Sequence, residues 1–355
     1  MAEVAIARLS DIAQRAGVSK TAVSKVLNDR PIRIGAAKRE EILKLARDLR
    51  YRPNIMARSL NRRSTRTVGV VVYDMSTLFY PQLLRTLELA LACEGYQTLI
   101  CNTEDNPARE REQIDNLLGR LVDGLVVAPA CGVGNIEYFR GIHDQGTPFI
   151  LIDRYFPDEP FRFLVTDNQA AARNGAAWLL DCGVRKLTYL GERGRNPSVD
   201  ERLAGVRAAA ERRGLVLKDQ DIVLCDTNRI SIRKALQPRL AQARPGTGLF
   251  LESNRMLMGV LDTCRDIGKT VPADVRIVGF DPFGPDLARP ADFASLRALT
   301  EPAPTIQQDT GRLAALATAY LLASFKGESP DAAAWQRRLP AKLVVPEDNK
   351  GVAPA

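Results

Sequence analysis

Polar side chains follow several apolar runs in the middle of the chain, and their types suit the binding of a small polar ligand. They stand at four positions: Tyr73-Asp74, Asp153-Arg154, Glu252-Ser253-Asn254 and Asp281. Carboxylates accept hydrogen bonds from hydroxyl groups, and a guanidinium donates in a planar fork to hydroxyls or to a carboxylate. Because Asp and Asn also stabilise turns after strands, each position by itself fits a turn equally well. Together they predict a site for a polar ligand.

The chain offers little for catalysis or for metal binding. Its six cysteines are scattered singly and His143 is its one histidine, so a zinc site and a hydrolase triad are both disfavoured. It has no GxGxxG fingerprint after the first apolar run and no GxxxxGK(S/T) loop, which argues against nicotinamide and ATP chemistry. We therefore expect a binding protein rather than an enzyme, with no cofactor and no metal ion.

A second group of chemically capable residues lies near the N-terminus, in RLSDIAQRAGVSKTAVSKVLN. This segment predicts two short helices joined at Gly17, with Ser10 or Asp11 capping the first helix and Ser19 capping the second. The second helix leaves donors to phosphates and base edges outside its core: Lys20, Thr21, Ser24, Lys25 and Asn28. An ordinary solvated face is the alternative, but the capped turn favours a helix-turn-helix that reads the major groove of DNA.

The distribution of charge supports a nucleic-acid partner for this segment. Residues 1–66 hold sixteen Lys and Arg against six Asp and Glu, whereas the other 289 residues hold thirty-four against thirty-six. Excess positive charge on a small module is typical of a domain that binds phosphates. A basic face without a partner remains the alternative.

The following residues predict a third helix and then a linker. Apolar residues recur at helical spacing in the helix, namely Ile42, Leu45, Ala46 and Leu49. Pro53 ends it, and a segment too short to form a stable helix alone follows. Leu60, which lies among arginines, could insert into a minor groove as an apolar wedge or pack against the rest of the chain.

The elements that position the ligand-binding candidates begin at residue 67. Amphipathic stretches alternate there with eight apolar runs: VGVVVYDM, QTLICN, DGLVVAPA, FILIDR, KLTYLGE, IVLCD, GLFLES and RIVGFD. This alternation predicts two lobes, each a buried parallel sheet with helices on both faces, and a cleft at the carboxyl ends of the strands. No run is long enough to span a membrane and no secretory signal is recognisable, so we expect a cytoplasmic protein without a membrane partner.

In their order and spacing these pieces resemble the LacI family of bacterial repressors from about Leu9 to Val345. The resemblance rests on LSDIAQRAGVSKTAVSKVLN, YRPNIMARSL, VGVVV, DGLVV, ILIDR, DERLAG, RIVGFD and TIQQD. It implies an N-terminal all-α helix-turn-helix domain with a short hinge helix, followed by two α/β lobes of parallel sheets that enclose an effector cleft, as in periplasmic binding proteins. Ser253-Asn254 departs from the Asn-Asp usual in the family and removes a carboxylate beside Arg255.

The resemblance also implies two sets of site residues, with Lys20 and Thr21 as base readers and Leu60 as the minor-groove leucine. The DNA-binding set is Ser10, Ser19, Lys20, Thr21, Ser24, Lys25, Asn28, Tyr51, Asn54, Ala57, Arg58 and Leu60. The effector-binding set is Tyr73, Asp74, Phe79, Tyr80, Asp153, Arg154, Arg202, Ser253, Asn254, Asp281 and Gln308. Arg202 is its strongest member.

Domain boundaries follow from the same resemblance. We expect a helix-turn-helix domain at 7–53, a hinge helix and linker at 54–66, an effector-binding and dimerisation body at 67–345 and a tail at 346–355. Strand exchange between lobes predicts a first lobe of about 67–164 plus 300–328 and a second of about 165–299 plus 329–345. The tail lacks apolar heptads, so a homodimer is expected rather than a tetramer.

The resulting hypothesis is a sequence-specific transcription regulator, most simply a repressor that a sugar or sugar acid releases from a near-palindromic double-stranded operator. A ligand that strengthens DNA binding is the alternative. A cleft-based sugar-binding protein and an enzyme are more distant alternatives, because neither explains the basic module. Arg154, Arg202 and Arg255 slightly favour a sugar acid over a neutral sugar.

Overall fold

The computed structural model describes residues 7–51, 64–75, 79–194, 196–281, 303–328, 331 and 333–346. The chain divides into two compact units between Thr65 and Arg66. Four of the predicted DNA-binding residues lie outside the described residues: Asn54, Ala57, Arg58 and Leu60.

The first unit contains three helices, α1 (Leu9–Ala16), α2 (Lys20–Leu27) and α3 (Ala36–Asp48). Its core is formed by the apolar side chains that recur at helical spacing: Ile12, Ala13, Ala16, Val23, Val26 and Ile42. Burial of these few side chains is the main source of stability in so small a domain.

The turn between α1 and α2 has the predicted geometry, whereas the start of α1 does not. Gly17 has a φ of 62°, a left-handed conformation that glycine adopts without steric cost. Ser19 caps α2 by accepting the backbone N–H of Ala22 at 3.1 Å, as predicted. Neither Ser10 nor Asp11 is the N-terminal cap of α1, because the helix begins at Leu9. Asp11 instead lies in the first turn and accepts the backbone N–H of Arg8 at 2.8 Å.

The first lobe of the second unit is built on six parallel strands. They are β1 (Thr67–Val72), β2 (Gln97–Asn102), β3 (Gly124–Val127), β4 (Phe149–Ile152), β5 (Phe163–Thr166) and β11 (Gln336–Leu339), in the order β11-β5-β4-β3-β1-β2. One face packs against α4 (Phe79–Cys93) and α11 (Thr310–Phe325), the other against α5 (Pro107–Gly119) and α6 (Ile136–Asp144). Strands β3, β4 and β5 are buried along their whole length because both faces of the sheet are covered.

The second lobe repeats this architecture. Its strands are β6 (Lys186–Glu192), β7 (Ile222–Cys225), β8 (Thr247–Leu251), β9 (Val275–Phe280), β10 (Thr305–Gln307) and β12 (Lys342–Val344), in the order β12-β10-β9-β8-β6-β7. All neighbours are parallel except β10 and β12. One face packs against α7 (Asn168–Asp181) and α8 (Pro197–Glu211), the other against α9 (Arg229–Leu240) and α10 (Leu257–Asp266).

The chain crosses between the lobes more often than the predicted boundaries allow. The predicted boundaries place residues 300–328 in the first lobe, but β10 pairs with β9 of the second sheet before α11 returns to the first lobe. They place residues 329–345 in the second lobe, but β11 pairs with β5 of the first sheet before β12 returns to the second. These strands have three or four residues, too few for a periodic pattern to assign them to a sheet.

All eight predicted apolar runs form strands, and four further strands lie outside those runs: β5, β10, β11 and β12. In the part of the chain described here, no helix has both the length and the apolar character needed to cross a membrane.

Candidate functional site

A cavity lies between the two lobes where the carboxyl ends of their strands meet. The space open to the centre of a water molecule is about 60 Å³. At about 10–15 Å³ for one water, this corresponds to roughly four to six waters, the space of one small polar molecule. Eight of the predicted effector residues line it: Tyr73, Phe79, Asp153, Arg154, Arg202, Ser253, Asp281 and Gln308.

Arg202 lies in the first half of α8 and is only 7% exposed. Its Nε donates to Asn168 Oδ1 at 2.7 Å and its Nη1 donates to the carbonyl of Glu252 at 2.8 Å. Its guanidinium carbon lies 3.7 Å from the centroid of the Phe280 ring. These hydrogen bonds to described residues use two of the five N–H donors, so the guanidinium is fixed in orientation and retains donors for a ligand.

Asp153 follows β4 and is held by groups from both lobes. Its carboxylate accepts the hydroxyl of Tyr80 at 2.6 Å, and its carbonyl accepts the hydroxyl of Ser198 on α8 at 2.7 Å. Burial raises the pKa of Tyr80 well above its ordinary value, so this hydroxyl stays protonated and donates. Tyr80 is therefore a supporting residue behind the cavity wall.

Arg154 is a buried residue whose charge is already paired. Its Nη1 donates to Asp105 at 2.6 Å and to the carbonyl of Pro129 at 3.2 Å, and its guanidinium lies 3.2 Å from the centroid of the Tyr73 ring. Burial acts to raise the pKa of Asp105, but Arg154 and the backbone N–H of Cys131 hold it below the ordinary value. Asp105 is thus ionised and compensates Arg154.

Gln308 links the two lobes at the cavity wall. Its Nε2 donates to the two carboxylate oxygens of Asp281 at 3.0 and 3.2 Å, and its Oε1 accepts the hydroxyl of Thr166 at 2.5 Å. Burial raises the pKa of Asp281 to about 6, although the charge of Arg202 opposes this shift. Asp281 is therefore an acceptor that its surroundings hold in one orientation.

Glu252 and Arg255 form much of the second lobe's wall. The Glu252 carboxylate accepts the backbone N–H of Glu192 at 3.0 Å, and burial raises its pKa to about 7. Arg255 forms ion pairs of 3.2 Å with both Glu192 and Asp74. Because Asp74 follows β1 in the first lobe, Arg255 joins the lobes across the cleft.

The charges lining the cavity nearly balance. Five carboxylates belong to Asp105, Asp153, Glu192, Glu252 and Asp281, and four guanidiniums belong to Arg154, Arg193, Arg202 and Arg255. Ser253-Asn254 lacks the carboxylate that is usual in the family, but Glu192 and Glu252 supply carboxylates close to it. This balance gives no support to the slight preference for a sugar acid.

Three predicted effector residues do not line the cavity. Tyr80 supports Asp153, Asp74 pairs with Arg255, and Asn254 is buried in a short 3-10 helix, Asn254–Met256. The effector-binding set left out Glu252 and Arg255, although the strand-end pattern included Glu252 and the charge argument included Arg255. The sequence analysis missed eight further lining residues: Asp105, Cys131, Glu192, Arg193, Gly194, Asn196, Ser198 and Val199. The rule that ligands bind at strand ends, if applied to every strand, would have found Asp105 and Glu192 as well.

The predicted DNA-binding face lies on α2, where Lys20, Thr21 and Lys25 are exposed and Ser24 is half-buried. The Asn28 side chain donates to the Ser24 carbonyl at 2.7 Å, and the Ser10 hydroxyl donates to Asp11 at 3.2 Å. Tyr51 packs against the core of the unit. The exposed donors nearest the capped start of α2 are thus Lys20 and Thr21.

Among the described residues, no group of three or more His, Cys, Asp or Glu side chains is arranged to hold a metal ion. All six cysteines are free thiols, and burial raises the pKa of Cys131, the one that lines the cavity, to about 11.

Comparison with known proteins relates both units to described families. Residues 8–54 match the family model "Bacterial regulatory proteins, lacI family", and residues 176–346 match "Periplasmic binding protein-like domain". The ribose operon repressor of Halalkalibacterium halodurans is 27% identical over 347 residues, which cover 97% of each chain. Catabolite control protein A of Priestia megaterium is 29% identical over 274 residues, 76% of this chain and 81% of that protein.

The solved structure of the lac repressor dimer bound to operator and the anti-inducer ONPF has the same fold. It aligns with a TM-score of 0.79 at 20% identity and covers 96% of this chain and 98% of that one. The chain therefore combines a helix-turn-helix unit with a periplasmic-binding-protein-like body. Its N-terminal unit matches the lacI family of bacterial regulatory proteins, the family that the sequence resembles.

Proposed function

We propose that this protein is a sequence-specific DNA-binding transcription regulator, most simply a repressor, whose affinity for its operator is set by a small carbohydrate. One observation carries the proposal: a single chain combines an exposed, capped, basic recognition helix with a balanced polar cavity between two lobes. The named functions of its relatives, a ribose operon repressor and a catabolite control protein, agree with this assignment.

The recognition helix α2 would enter the major groove. Lys20 can donate to guanine, Thr21 can bond to a base edge or contact a thymine methyl, and Lys25 can bind phosphate. The residues between 54 and 66, with Leu60, would contact the adjacent minor groove. These roles predict sequence-dependent binding superimposed on salt-dependent binding to phosphates.

The cavity favours a neutral polyhydroxyl ligand. Its fixed acceptors, Asp153 and Asp281, and its fixed donor, Arg202, line the same small space, and hydroxyl groups both donate and accept. Because Arg154 and Arg255 are already paired with carboxylates, an anionic ligand would gain little net attraction. The Phe79 ring can cover the apolar face of a sugar ring.

Exposed apolar residues on the edge strands fit a homodimer. On β2, Leu99 and Ile100 are 37% and 44% exposed, and on β7 of the other sheet Leu224 is 49% exposed. Edge strands that present apolar side chains to water promote association with another chain. A twofold dimer would present two recognition helices to a near-palindromic operator.

Ligand and DNA would be coupled through the arrangement of the two lobes. A ligand that binds one arrangement more tightly shifts the population toward it. DNA must then change ligand affinity by the same factor as ligand changes DNA affinity, typically about 5- to 150-fold. A sugar that weakens operator binding is an inducer, and one that strengthens it is a co-repressor.

The test combines calorimetric titration with DNA binding. The purified protein is titrated with neutral sugars, sugar acids and sugar phosphates, and its operator is selected from a random pool of duplexes. We expect a neutral sugar to bind the wild type and the Lys20→Ala variant but not Arg202→Met. We expect the selected duplex to bind the wild type and Arg202→Met but not Lys20→Ala.

Each variant is the control for the other, because the two changes lie in separate units. Loss of both activities in either variant would contradict this division of roles. Chemical conversion of a bound sugar would indicate an enzyme, and a sugar that binds without altering DNA affinity would indicate a simple receptor.

A further inference from the structure

A second pocket, here named the annex pocket, adjoins the main cavity. Its walls come from the loop after β3, the loop after β4 and the start of α8, and include Pro129, Val133, Phe156, Pro157 and Pro197. It shares two residues with the main cavity, Arg154 and Asn196. The space open to the centre of a water molecule is about 80 Å³. This corresponds to roughly five to eight waters, enough for a six-membered ring.

The walls of the annex pocket offer few hydrogen-bonding groups. Three of its residues are prolines, which lack a backbone N–H. Arg154, its one charged residue among those described, is paired with Asp105 and lies over the Tyr73 ring. The side-chain oxygen of Asn196 accepts the backbone N–H of Val199 at 3.2 Å. A charged or strongly polar group would therefore lose hydration there without adequate compensation.

We propose that the annex pocket binds an uncharged apolar ring that is covalently joined to the carbohydrate in the main cavity. The effector is then a glycoside with an apolar substituent rather than a free sugar. This inference rests on the proposed function, because the carbohydrate itself occupies the main cavity. The two pockets share Arg154 and Asn196 as wall residues and so lie side by side, as a single molecule that fills both requires. Since Val133 belongs to the first lobe and Pro197 to the second, the ring also contacts both lobes.

Matched pairs of glycosides test the proposal on the full-length protein. Methyl and phenyl glycosides of the same pentoses and hexoses are titrated calorimetrically. We expect the phenyl compound of the preferred sugar to bind roughly tenfold or more tightly than its methyl counterpart, because the ring leaves water for an apolar wall. Val133→Asp should abolish this gain and leave the affinity for the methyl glycoside unchanged.

Val216→Asp is the matched control, because Val133 and Val216 are 77% and 73% exposed and Val216 does not line the pocket. This control should keep the full gain. A methyl glycoside that binds as tightly as its phenyl counterpart overturns the annex proposal and leaves the proposed function standing. The annex proposal is also overturned if Val133→Asp and Val216→Asp both keep the phenyl-over-methyl gain in affinity, or if both lose it equally. Failure of every sugar and glycoside to bind overturns the proposed function and the annex proposal together.

Discussion

Glu252 is a carboxyl group on which burial and charge act in opposite directions. Burial raises its pKa from 4.5 to about 7, while the charge of Arg202 and the backbone N–H of Glu192 oppose the shift. The folded protein therefore binds this proton more tightly than the unfolded chain does. Between about pH 4.5 and pH 7 the carboxyl ionises readily in the unfolded chain but not in the folded protein. The folded protein therefore becomes less stable relative to the unfolded chain as the pH rises through this interval. Glu252 in the cavity wall therefore lowers the stability of the folded protein at neutral and higher pH.

The first prediction concerns this pH dependence. The free energy of unfolding of the wild type should fall relative to that of Glu252→Gln as the pH rises, by about 2 kcal/mol between about pH 5 and pH 8. Urea unfolding followed by tryptophan fluorescence measures it, because Trp178 and Trp335 both lie in the second unit. If the free energies of unfolding of the two proteins change with pH in parallel, the pKa of Glu252 is not raised by folding and the prediction is wrong.

Helices α7 and α8 cross at Gly205, and this crossing positions Arg202. A Cβ at Gly205 would lie 2.2 Å from the carbonyl oxygen of Gln169 and 2.9 Å from the backbone nitrogen of Arg173. Because both neighbours are backbone atoms of α7, any larger side chain must force the helices apart. Arg202 lies one turn before Gly205 and bonds to Asn168 on α7, so separation of the helices also moves the guanidinium.

The second prediction is that Gly205→Ala destabilises the second unit by about 1–3 kcal/mol and weakens ligand binding several-fold without touching the ligand. Gly141→Ala is the matched control, since Gly141 also lies inside a helix but has no atom within 4 Å of its added Cβ. That control should be neutral or stabilising by up to about 1 kcal/mol. Urea unfolding and calorimetry measure both effects, and equal behaviour of the two variants would refute the role of the crossing.

At the scale of the whole body, the two lobes are joined by chain crossings and by side-chain bridges. Arg255 pairs with Asp74 on one side of the cleft. Elsewhere, Glu201 of the second lobe accepts the hydroxyl of Tyr155 at 2.5 Å and an Arg338 N–H at 2.7 Å, both from the first lobe. These contacts allow a small set of lobe arrangements, which a ligand in the cleft can select.

The third prediction concerns association of two bodies. Ile100→Asp should raise the dissociation constant of the homodimer roughly tenfold or more, because the edge strand would bring a carboxylate into an apolar interface. Sedimentation equilibrium measures the change, and Val216→Asp should leave it unaffected. A wild type that sediments as a monomer would argue against the β2 edge as an interface.

The sequence by itself determined the helix-turn-helix and eight of the strands, because caps, turns and apolar periodicity are local properties of the chain. It also located Asp153 and Asp281, since each directly follows a strong apolar strand. Only the tertiary structure decided the sheet membership of β10 and β11, because such short strands carry no periodic signal. It likewise decided the pairing of Arg154 with Asp105 and of Gln308 with Thr166. These contacts join residues 49 and 142 positions apart, and no local rule of spacing encodes them.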